Sequence, residues 1–223
     1  MTLYSVKEIF PTIQGEGSLT GTPSVFVRLT GCNLWSGKEN FRRQGTGECS
    51  LWCDTDFYQG YRKSPEEIIS QINSYTNKWH GNPLVVITGG EPFLQLSDKR
   101  LNLIDELIAN DNDIAIETNG TILNEASSLL SEMAHVTLSP KMLKTSTNDI
   151  SHIKLLTCTD LKIVVPTMVP IEKVIKKIQY KHLFFQPKDK GDNGISNIDL
   201  ALKLARRYGG RISIQTHKMV GLR

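Results

Sequence analysis

The sequence predicts an α/β fold with a mostly parallel sheet, and two observations carry this prediction. After residue 60, short apolar runs alternate with segments of helical periodicity. The runs are apolar at consecutive positions, as at residues 84–87, which is typical of strands covered on both faces. Strands that alternate with helices and are buried on both faces belong to parallel sheets.

The helices are predicted from capping residues and apolar periodicity. Ser64 caps the first helix, because Pro65 follows at the first helical position and Glu67 completes a capping box. The second helix is predicted to begin at Ser97, with an inner face of four apolar residues: Leu101, Ile104, Leu107 and Ile108. Further helices are predicted near residues 124–134, 170–179 and 196–208.

The strands are predicted where apolar runs stop at polar or glycine residues. They cover residues 25–29, 84–87, 114–116, 136–138, 161–165, 183–185 and 211–214. Ligands of parallel sheets bind at the C-terminal ends of the strands, so the residues that follow each run are candidates for a site. Besides the cysteine segment after the first strand, these are residues 88–92, 117–120, 139–141, 186–189 and 215–218.

Length and charge limit the class of protein. The chain of 223 residues is predicted to form a single domain, 1–223. Its 26 Lys and Arg against 23 Asp and Glu give a net charge of +3, which is too small to imply nucleic-acid binding. The N-terminus lacks the pattern of a signal peptide, and no apolar stretch approaches a membrane span. We therefore expect a protein of the reducing cytoplasm, whose cysteines are ligands or free thiols.

Three of the four cysteines lie in one early segment. Cys32, Cys49 and Cys53 are separated by sixteen and then three residues, and Cys158 is far away. A structural zinc normally takes four protein ligands, and a fully held cubane takes four cysteines. Three thiolates would leave one iron of a cluster open to bind a reactant. The cysteines alone leave three interpretations open: such a cluster, a zinc site completed by a histidine, or unpaired thiols.

A second signal follows the strand at residues 84–87, where the chain continues as Thr88-Gly89-Gly90-Glu91-Pro92. Two adjacent glycines allow a ligand to approach the backbone, whose amides can hydrogen-bond it. Glu91 is predicted to offer this ligand a negative charge. A glycine pair alone is typical of an ordinary strand-to-helix turn, so the upstream cysteines are what point to a ligand site.

The cysteine triad together with this glycine motif resembles the radical S-adenosylmethionine (SAM) enzymes. The resemblance narrows to the 7-carboxy-7-deazaguanine synthase family on three further segments: Gln14-Gly15-Glu16-Gly17, Arg28 and Cys53-Asp54-Thr55. It continues through the strand ends named above and so spans essentially the whole chain. The chain departs from the family pattern by three residues, rather than two, between Cys49 and Cys53.

The resemblance implies a partial, open TIM-like barrel of about six parallel strands with helices outside. It also implies an insertion in the cluster loop at about 33–52. The implied enzyme is a lyase that converts 6-carboxy-5,6,7,8-tetrahydropterin into 7-carboxy-7-deazaguanine with loss of ammonia, in the biosynthesis of queuosine and related deazapurines. Its implied cofactors are a [4Fe–4S] cluster, SAM used catalytically through a 5′-deoxyadenosyl radical, and Mg²⁺.

Site residues follow from the resemblance by position. The cluster would be held by Cys32, Cys49 and Cys53, and Mg²⁺ by Thr55. The substrate would contact Ile13, Gln14, Gly15, Glu16, Arg28, Thr88 and Arg223. SAM would contact Trp52, Asp54, Gly90, Ser139, Pro140, Lys141, Gln186, Pro187, Lys188 and Asp189. Glu117 is added as a SAM-binding candidate because it ends a strand, although Asn119-Gly120 beside it is equally typical of a tight turn.

Three residues can be considered individually. Arg28 offers a planar fork suited to a carboxylate, and its place inside an apolar strand disfavours a mere surface ion pair. Cys158 is predicted to be a small buried hydrophobe and not a ligand. His217 is expected to contact substrate or to stabilise the rim of the site.

The resemblance also implies partners: a small-molecule pterin substrate, an electron donor such as flavodoxin or ferredoxin, and a second copy in a homodimer, with no direct nucleic-acid or membrane partner. Two alternative functions are weighed against it. Another radical SAM enzyme, such as an activator of glycyl radical enzymes, often needs extra cluster cysteines, and only Cys158 remains. A zinc or nucleic-acid module is disfavoured by the small net charge and the missing fourth ligand.

Overall fold

The computed structural model describes residues 2–38, 49, 53, 55–97, 100–143 and 148–222. Within these ranges the strands are β1 (Tyr4–Ile13), β2 (Pro23–Leu29), β3 (Tyr61–Lys63), β4 (Leu84–Gly89), β5 (Asp113–Thr118), β6 (His135–Leu138), β7 (Thr157–Val165), β8 (Gln179–Pro187) and β9 (Arg211–Ile212). The helices are α1 (Pro65–Thr76), α2 (Asn102–Ala109), α3 (Glu125–Met133), α4 (Ile171–Lys177), α5 (Ile198–Tyr208) and α6 (Thr216–Met219). Short 3₁₀ helices lie at Gly17–Leu19, Pro92–Leu94 and Ile195–Asn197.

The described strands form one open sheet in the order β3-β1-β2-β4-β5-β6-β7-β8-β9. From β2 to β9 every neighbouring pair is parallel, which makes seven parallel strands, one for each predicted apolar run, where the family resemblance implies about six. β1 runs antiparallel to both β2 and β3. The predicted α/β class and the open, mostly parallel sheet are confirmed. In the described part of the chain, no helix is long and apolar enough to cross a membrane.

Alternate residues of each parallel strand face opposite sides of the sheet. In β4, Val85 and Ile87 join the large core that also contains the apolar faces of the helices. Leu84 and Val86 face the other side of the sheet, which is called the inner side. There they pack against Ala115 and Leu19. The inner side therefore has a small apolar floor, and its upper part is free to carry polar residues.

The start of α1 confirms the predicted capping box. The Ser64 hydroxyl accepts a hydrogen bond from the Glu67 amide (3.3 Å), and the Glu67 carboxylate accepts one from the Ser64 amide (2.7 Å). The Ile68 and Ile72 side chains are buried on the inner face of the helix. Local sequence signals thus place this helix correctly.

The predicted start of the second helix is wrong. α2 begins at Asn102 and not at Ser97; before it, the Arg100 amide donates to the Ser97 carbonyl. The Tyr4 hydroxyl of the distant β1 donates to the Arg100 carbonyl (2.7 Å) and so fixes the position of Arg100. Ile108, which was predicted to lie on the inner face, is 45% exposed, whereas its neighbour Leu107 is buried.

Several elements differ from the predictions in extent or were not predicted. β7 and β8 begin four residues before the predicted runs, whereas β9 is confined to Arg211–Ile212. β1 was not predicted, because a register shift between Val6 and Glu8 breaks its alternation. β3 has three partly or fully exposed residues and no apolar signal. Most of the predicted insertion at 33–52 lies outside the described residues.

Candidate active site

A cavity of about 370 Å³ opens on the inner side of the sheet, among the residues that end the parallel strands. Its lining includes most of the residues predicted from the sequence: Cys32, Cys49, Cys53, Thr55, Ile13, Gln14, Glu16, Arg28, Thr88, Gly90, Glu117, Ser139, Lys141, Gln186, Lys188 and Asp189. Gly15, Pro140 and Pro187 lie next to lining residues without lining the cavity themselves. Trp52, Asp54 and Arg223 lie outside the described residues.

The three cysteines of the early segment line this one cavity as half-buried free thiols. Burial raises the pKa of Cys32, while the Leu34 amide donates to its sulfur (3.4 Å). The Cys49 amide donates to the Leu34 carbonyl (3.2 Å), which ties the second cysteine to the loop of the first. Among the residues described, however, no three His, Cys, Asp or Glu side chains are grouped closely enough to hold a metal ion.

Cys158 lies apart from these thiols. It is buried on β7 within the large core. Burial, assisted by the charge of Asp160, raises the pKa of its thiol to about 12. This is the environment of a structural cysteine, because the reactive thiolate form is suppressed.

The glycines after β4 bring two loops of the site together. A side chain at Gly90 would overlap the carbonyl oxygen of Gly31 and the Cβ of Cys32. The Glu91 amide also donates to the Gly31 carbonyl (2.9 Å). The glycine motif therefore packs its backbone directly against the loop of Cys32, and leaves both at the wall of the cavity.

Glu91 does not offer its charge to a ligand, so that prediction is wrong. Its carboxylate is fully buried and accepts hydrogen bonds from the Thr118 hydroxyl (2.8 Å) and the Asn119 amide (2.8 Å). Burial raises the pKa of Glu91 to about 7, and the hydrogen bonds only partly oppose this. The residue ties the β4 loop to the β5 loop from inside the protein.

Glu16 is the centre of a polar network in the cavity. One carboxylate oxygen accepts hydrogen bonds from Gln186 Nε2 (3.1 Å) and Gln215 Nε2 (2.7 Å), and the other oxygen pairs with Lys162 Nζ. Burial acts to raise the pKa of Glu16, but the adjacent ammonium outweighs it and the pKa is lowered. Burial likewise acts to lower the pKa of Lys162, and Glu16 reverses this so that the pKa is raised. The two groups therefore remain a charged pair at neutral pH.

Glu117 is placed with the predicted substrate residues. Its carboxylate accepts a hydrogen bond from the Thr88 hydroxyl (2.9 Å) and a longer one from Gln14 Nε2 (3.4 Å). Gln14 in turn accepts a hydrogen bond from the Glu16 amide (3.1 Å). The geometry thus links Glu117 to Gln14 and Thr88, whereas the sequence assigned it to SAM.

Arg28 faces the cavity from β2. Its Nε donates to the Glu8 carboxylate of β1 (2.8 Å), and its guanidinium lies 5.9 Å from the centre of the Phe10 ring. The pair is mostly buried, so it is not the surface ion pair weighed against a functional role. Bonding through Nε leaves the two terminal nitrogens as the donors that can form a fork toward a ligand.

The C-terminal segment closes against the Gln14–Gly17 segment. The Thr216 amide donates to the Gly15 carbonyl (3.0 Å), and a side chain at Gly15 would overlap the His217 ring. Burial lowers the pKa of His217, which keeps the imidazole neutral. His217 therefore stabilises the rim and lines the cavity, as expected from the sequence.

Asp189 anchors the rim after β8. One oxygen accepts hydrogen bonds from three consecutive backbone amides (residues 191–193), and the other pairs with Lys218 Nζ at 3.0 Å. Its carboxylate is engaged within the protein, and any contact with SAM would use the backbone or the remaining lone pairs.

Some residues of the site were missed by sequence reasoning, above all Lys162, Gln215 and Glu8. Lys162 interrupts the apolar run at residues 161–165, which is the signal that singled out Arg28 and would have found Lys162 as well. Gln215 lies in a predicted strand-end segment but was not selected. Glu8 gave no signal, since β1 itself was not predicted.

The chain has relatives among known proteins. No protein-family model matches it. It is 36% identical over 233 residues to the 7-carboxy-7-deazaguanine synthase of Caulobacter vibrioides, covering 98% of this chain and 99% of the relative. It is 37% identical over 227 residues to the synthase of Bradyrhizobium diazoefficiens, covering 99% of each chain. The corresponding synthase of Burkholderia multivorans is 35% identical over 230 residues.

A solved structure shares the fold. QueE from Escherichia coli superposes with a TM-score of 0.68 at 22% identity, covering 95% of this chain and 93% of that chain. At this identity the likeness concerns the fold, whereas the near full-length identities above concern the family. The resemblance found in the motifs is confirmed, and the chain belongs to the 7-carboxy-7-deazaguanine synthase family.

Proposed function

We propose that the protein converts 6-carboxy-5,6,7,8-tetrahydropterin into 7-carboxy-7-deazaguanine with loss of ammonia. The relatives of the preceding section bear the name of this activity. The observation that carries the proposal is the shared lining of one cavity by the cysteine triad and the network of Gln14, Glu16 and Arg28. Its volume of about 370 Å³ suits a small molecule, which favours this reaction over activation of a protein radical.

Membership of the family implies SAM and a [4Fe–4S] cluster. The donor set fits a cluster in kind and number, because three free thiols line the same cavity and the buried Cys158 is excluded. We propose Cys32, Cys49 and Cys53 as its ligands. The close packing of Gly90 on the Cys32 loop fits a ligand held by backbone amides beside these thiols. When bound, the two cofactors supply radical hydrogen abstraction.

SAM is proposed to lie along the strand ends from β4 to β8. Its contacts would be Gly90, Ser139, Pro140, Lys141, Gln186, Pro187, Lys188, Asp189 and, from the undescribed residues, Trp52 and Asp54. Lys141 Nζ donates to the Ser139 hydroxyl (2.9 Å), so these two residues already form one polar unit at the end of β6. Mg²⁺ is proposed at Thr55, since a hard cation with few protein ligands takes its remaining oxygens from substrate and water.

The substrate combines a carboxylate with a pterin edge rich in hydrogen-bond donors and acceptors. Arg28 offers terminal nitrogens to the carboxylate. Glu16 and Glu117 offer acceptor oxygens to the N–H groups of the pterin, and Gln14 offers both a donor and an acceptor. Lys162 keeps Glu16 ionised, so the acceptor is present at neutral pH without a proton of its own. Ile13, Gly15 and Arg223 complete the proposed contacts.

Release of ammonia requires groups that hold and accept protons. The buried Lys162 holds a proton on Nζ, and the neutral His217 ring can accept one. We propose His217 as the proton acceptor of the site and Lys162 as the fixed cation that keeps Glu16 ionised. The deep, mostly buried network around Glu16 also excludes water from the reacting centre, since Gln186 and Lys162 are both buried.

The partners of the enzyme are proposed on the resemblance, and its location and domain organisation also on the sequence. We propose an electron donor of the flavodoxin or ferredoxin class, a homodimer and a cytoplasmic location. We also retain the single domain with its insertion at about 33–52 as a proposal.

The decisive experiment is anaerobic reconstitution of the full chain with iron and sulfide. The loaded protein is incubated with SAM, a reductant, Mg²⁺ and the carboxytetrahydropterin. We expect release of ammonia and formation of the carboxydeazaguanine, detected by mass spectrometry. A protein that carries its cluster and cleaves SAM but forms neither product would refute the proposed function.

A further inference from the structure

A buried carboxylate lies one layer below the cavity. Asp160 of β7 is 0% exposed and points to the same side of the sheet as Lys162, two residues further along the strand. Lys162 lines the cavity and Asp160 does not. Asp160 therefore belongs to the floor of the inner side and not to the surface that a substrate would touch.

Two histidines from the neighbouring strands face this carboxylate. His135 of β6 places Nε2 at 3.3 Å from Asp160 Oδ2, and His182 of β8 places Nδ1 at 3.0 Å from Oδ1. Both oxygens are thus contacted from within the sheet. A buried carboxylate with bonded oxygens is tolerated far better than an isolated one, because hydrogen bonds offset the loss of water.

The same carboxylate binds the segment that follows β1. The Ser18 amide donates to Asp160 Oδ2 at 2.8 Å, and the Ser18 hydroxyl lies 2.8 Å from Oδ1. A Cβ at Gly17 would lie only 2.6 Å from Oδ2, in a residue whose φ of +68° already favours glycine. The last glycine of Gln14-Gly15-Glu16-Gly17 is therefore explained by the close approach of Asp160.

This contact sits next to the proposed substrate residues. Ser18 is two residues from Glu16 and four from Gln14, and the Gly17 amide is held by the Ser213 hydroxyl (3.0 Å). The Glu16 side chain is held at the cavity by its ion pair with Lys162 and its hydrogen bond from Gln215. The backbone of the segment is thus fixed from below by Asp160 and Ser213, independently of the contacts that Glu16 makes above.

We propose that Asp160 is a positioning residue, which clamps Gly17 and Ser18 so that Gln14 and Glu16 are held ready for the substrate. The inference rests on the proposed function, because the clamp matters to the reaction only if those two residues bind the substrate. Fixing a binding segment in advance lowers the cost of ordering it on binding. Asp160 itself touches neither the cavity nor any group that reacts.

The chemistry of the contacts explains why a carboxylate is needed. Ser18 presents an N–H donor, and the two histidines present further ring nitrogens. The carboxylate oxygens accept hydrogen bonds from the Ser18 amide and the Ser18 hydroxyl, whereas an amide would keep one acceptor and turn an NH₂ group toward one of these donors. Asp160→Asn is therefore a small change in shape that disrupts the clamp, and Asp160→Ala removes it.

Hydrogen exchange on the protein without cofactors tests the clamp directly. We expect the Ser18 amide to exchange about tenfold faster in Asp160→Ala than in the natural chain, since its acceptor is gone. Amides of the central strand β4 should keep their protection. Equal protection of Ser18 in both proteins would overturn the inference.

Kinetics of the loaded enzyme test positioning. In Asp160→Asn we expect the KM for the pterin substrate to rise about tenfold, while SAM cleavage without substrate stays within about twofold. A purely structural role would lower both activities together, through a smaller folded fraction. Glu172→Gln is the matched control, because it removes a carboxylate from an exposed ion pair with Arg207, outside the cavity.

Ser18→Ala changes the other partner of the clamp and leaves β7 intact. It removes the hydroxyl contact but keeps the amide bond, so we expect a smaller rise in KM than in Asp160→Asn. If the natural protein forms no deazaguanine, the proposed function fails while hydrogen exchange still decides the clamp. If the natural protein is active and both variants fold with unchanged KM, the positioning role is refuted.

Discussion

Lys162 of β7 and Glu16 of the segment after β1 form a buried ion pair on the inner side of the sheet, although 146 residues separate them in sequence. Lys162 is 6% exposed, so its ammonium has given up most of its water. The pair is tolerated because Gln186 and Gln215 also donate to Glu16. It joins a residue proposed for substrate binding to the cation that keeps it ionised.

Breaking this pair should be costly. We expect Lys162→Met to lower the free energy of unfolding by about 3 kcal/mol, since it leaves Glu16 as an uncompensated buried charge. Glu16→Gln in the same chain should relieve that charge, so the double variant should be more stable than the sum of the single effects by at least about 1 kcal/mol. Urea unfolding of the natural protein, the two single variants and the double variant measures the coupling free energy of this double-mutant cycle. Strictly additive effects would contradict the coupling.

Glu91 predicts a pH dependence of stability. Its pKa is raised from 4.5 to about 7, so between these values the unfolded chain ionises while the folded protein keeps the proton. The contribution of this group to the free energy of unfolding is therefore greatest below about pH 4.5. It is lost as the pH rises through about 7, and the loss is about 3 kcal/mol at most.

Glu91→Gln isolates this contribution, because glutamine keeps an acceptor oxygen for Asn119 but does not titrate. We expect the difference in unfolding free energy between variant and natural protein to shift in favour of Glu91→Gln as the pH rises from 5 to 8. Urea midpoints measured at several pH values decide this. A difference that stays constant over the range would show that Glu91 titrates as an ordinary carboxyl.

The proposed cluster ligands separate cleanly from the fourth cysteine. We expect Cys49→Ala to lose the ability to load a cluster, because two thiolates remain. Cys158→Ala should load normally, since that thiol is buried in the core on β7. Iron and sulfide content per chain after reconstitution measures both. A fully loaded Cys49→Ala variant would show that the ligand assignment is wrong.

The proposed Mg²⁺ site predicts a change in metal requirement. We expect Thr55→Ala to need roughly tenfold more Mg²⁺ for half-maximal turnover, the loss of ~1.4 kcal/mol of metal binding. Thr121→Ala is a suitable control, because this threonine binds Asn119 and does not line the cavity. An unchanged Mg²⁺ titration in Thr55→Ala would refute the assignment.

Local signals predicted most of the elements. The capping box at Ser64 and the apolar run at residues 84–87 depend on neighbours in sequence, and the structure has both. The errors arise where distant contacts intervene. The Tyr4 hydroxyl binds the Arg100 carbonyl before α2, and a register shift in β1 hides its alternation.

The sequence by itself determined the order and type of most elements, the family, and the rim on which the polar residues lie, since periodicity, capping and motif spacing are local properties of the chain. The tertiary structure decided which polar groups meet. It paired Lys162 with Glu16, buried the Glu91 carboxylate inside the protein and placed Asp160 beneath Ser18. These contacts join residues far apart in sequence, and their distances depend on strand order and register, which no local pattern specifies.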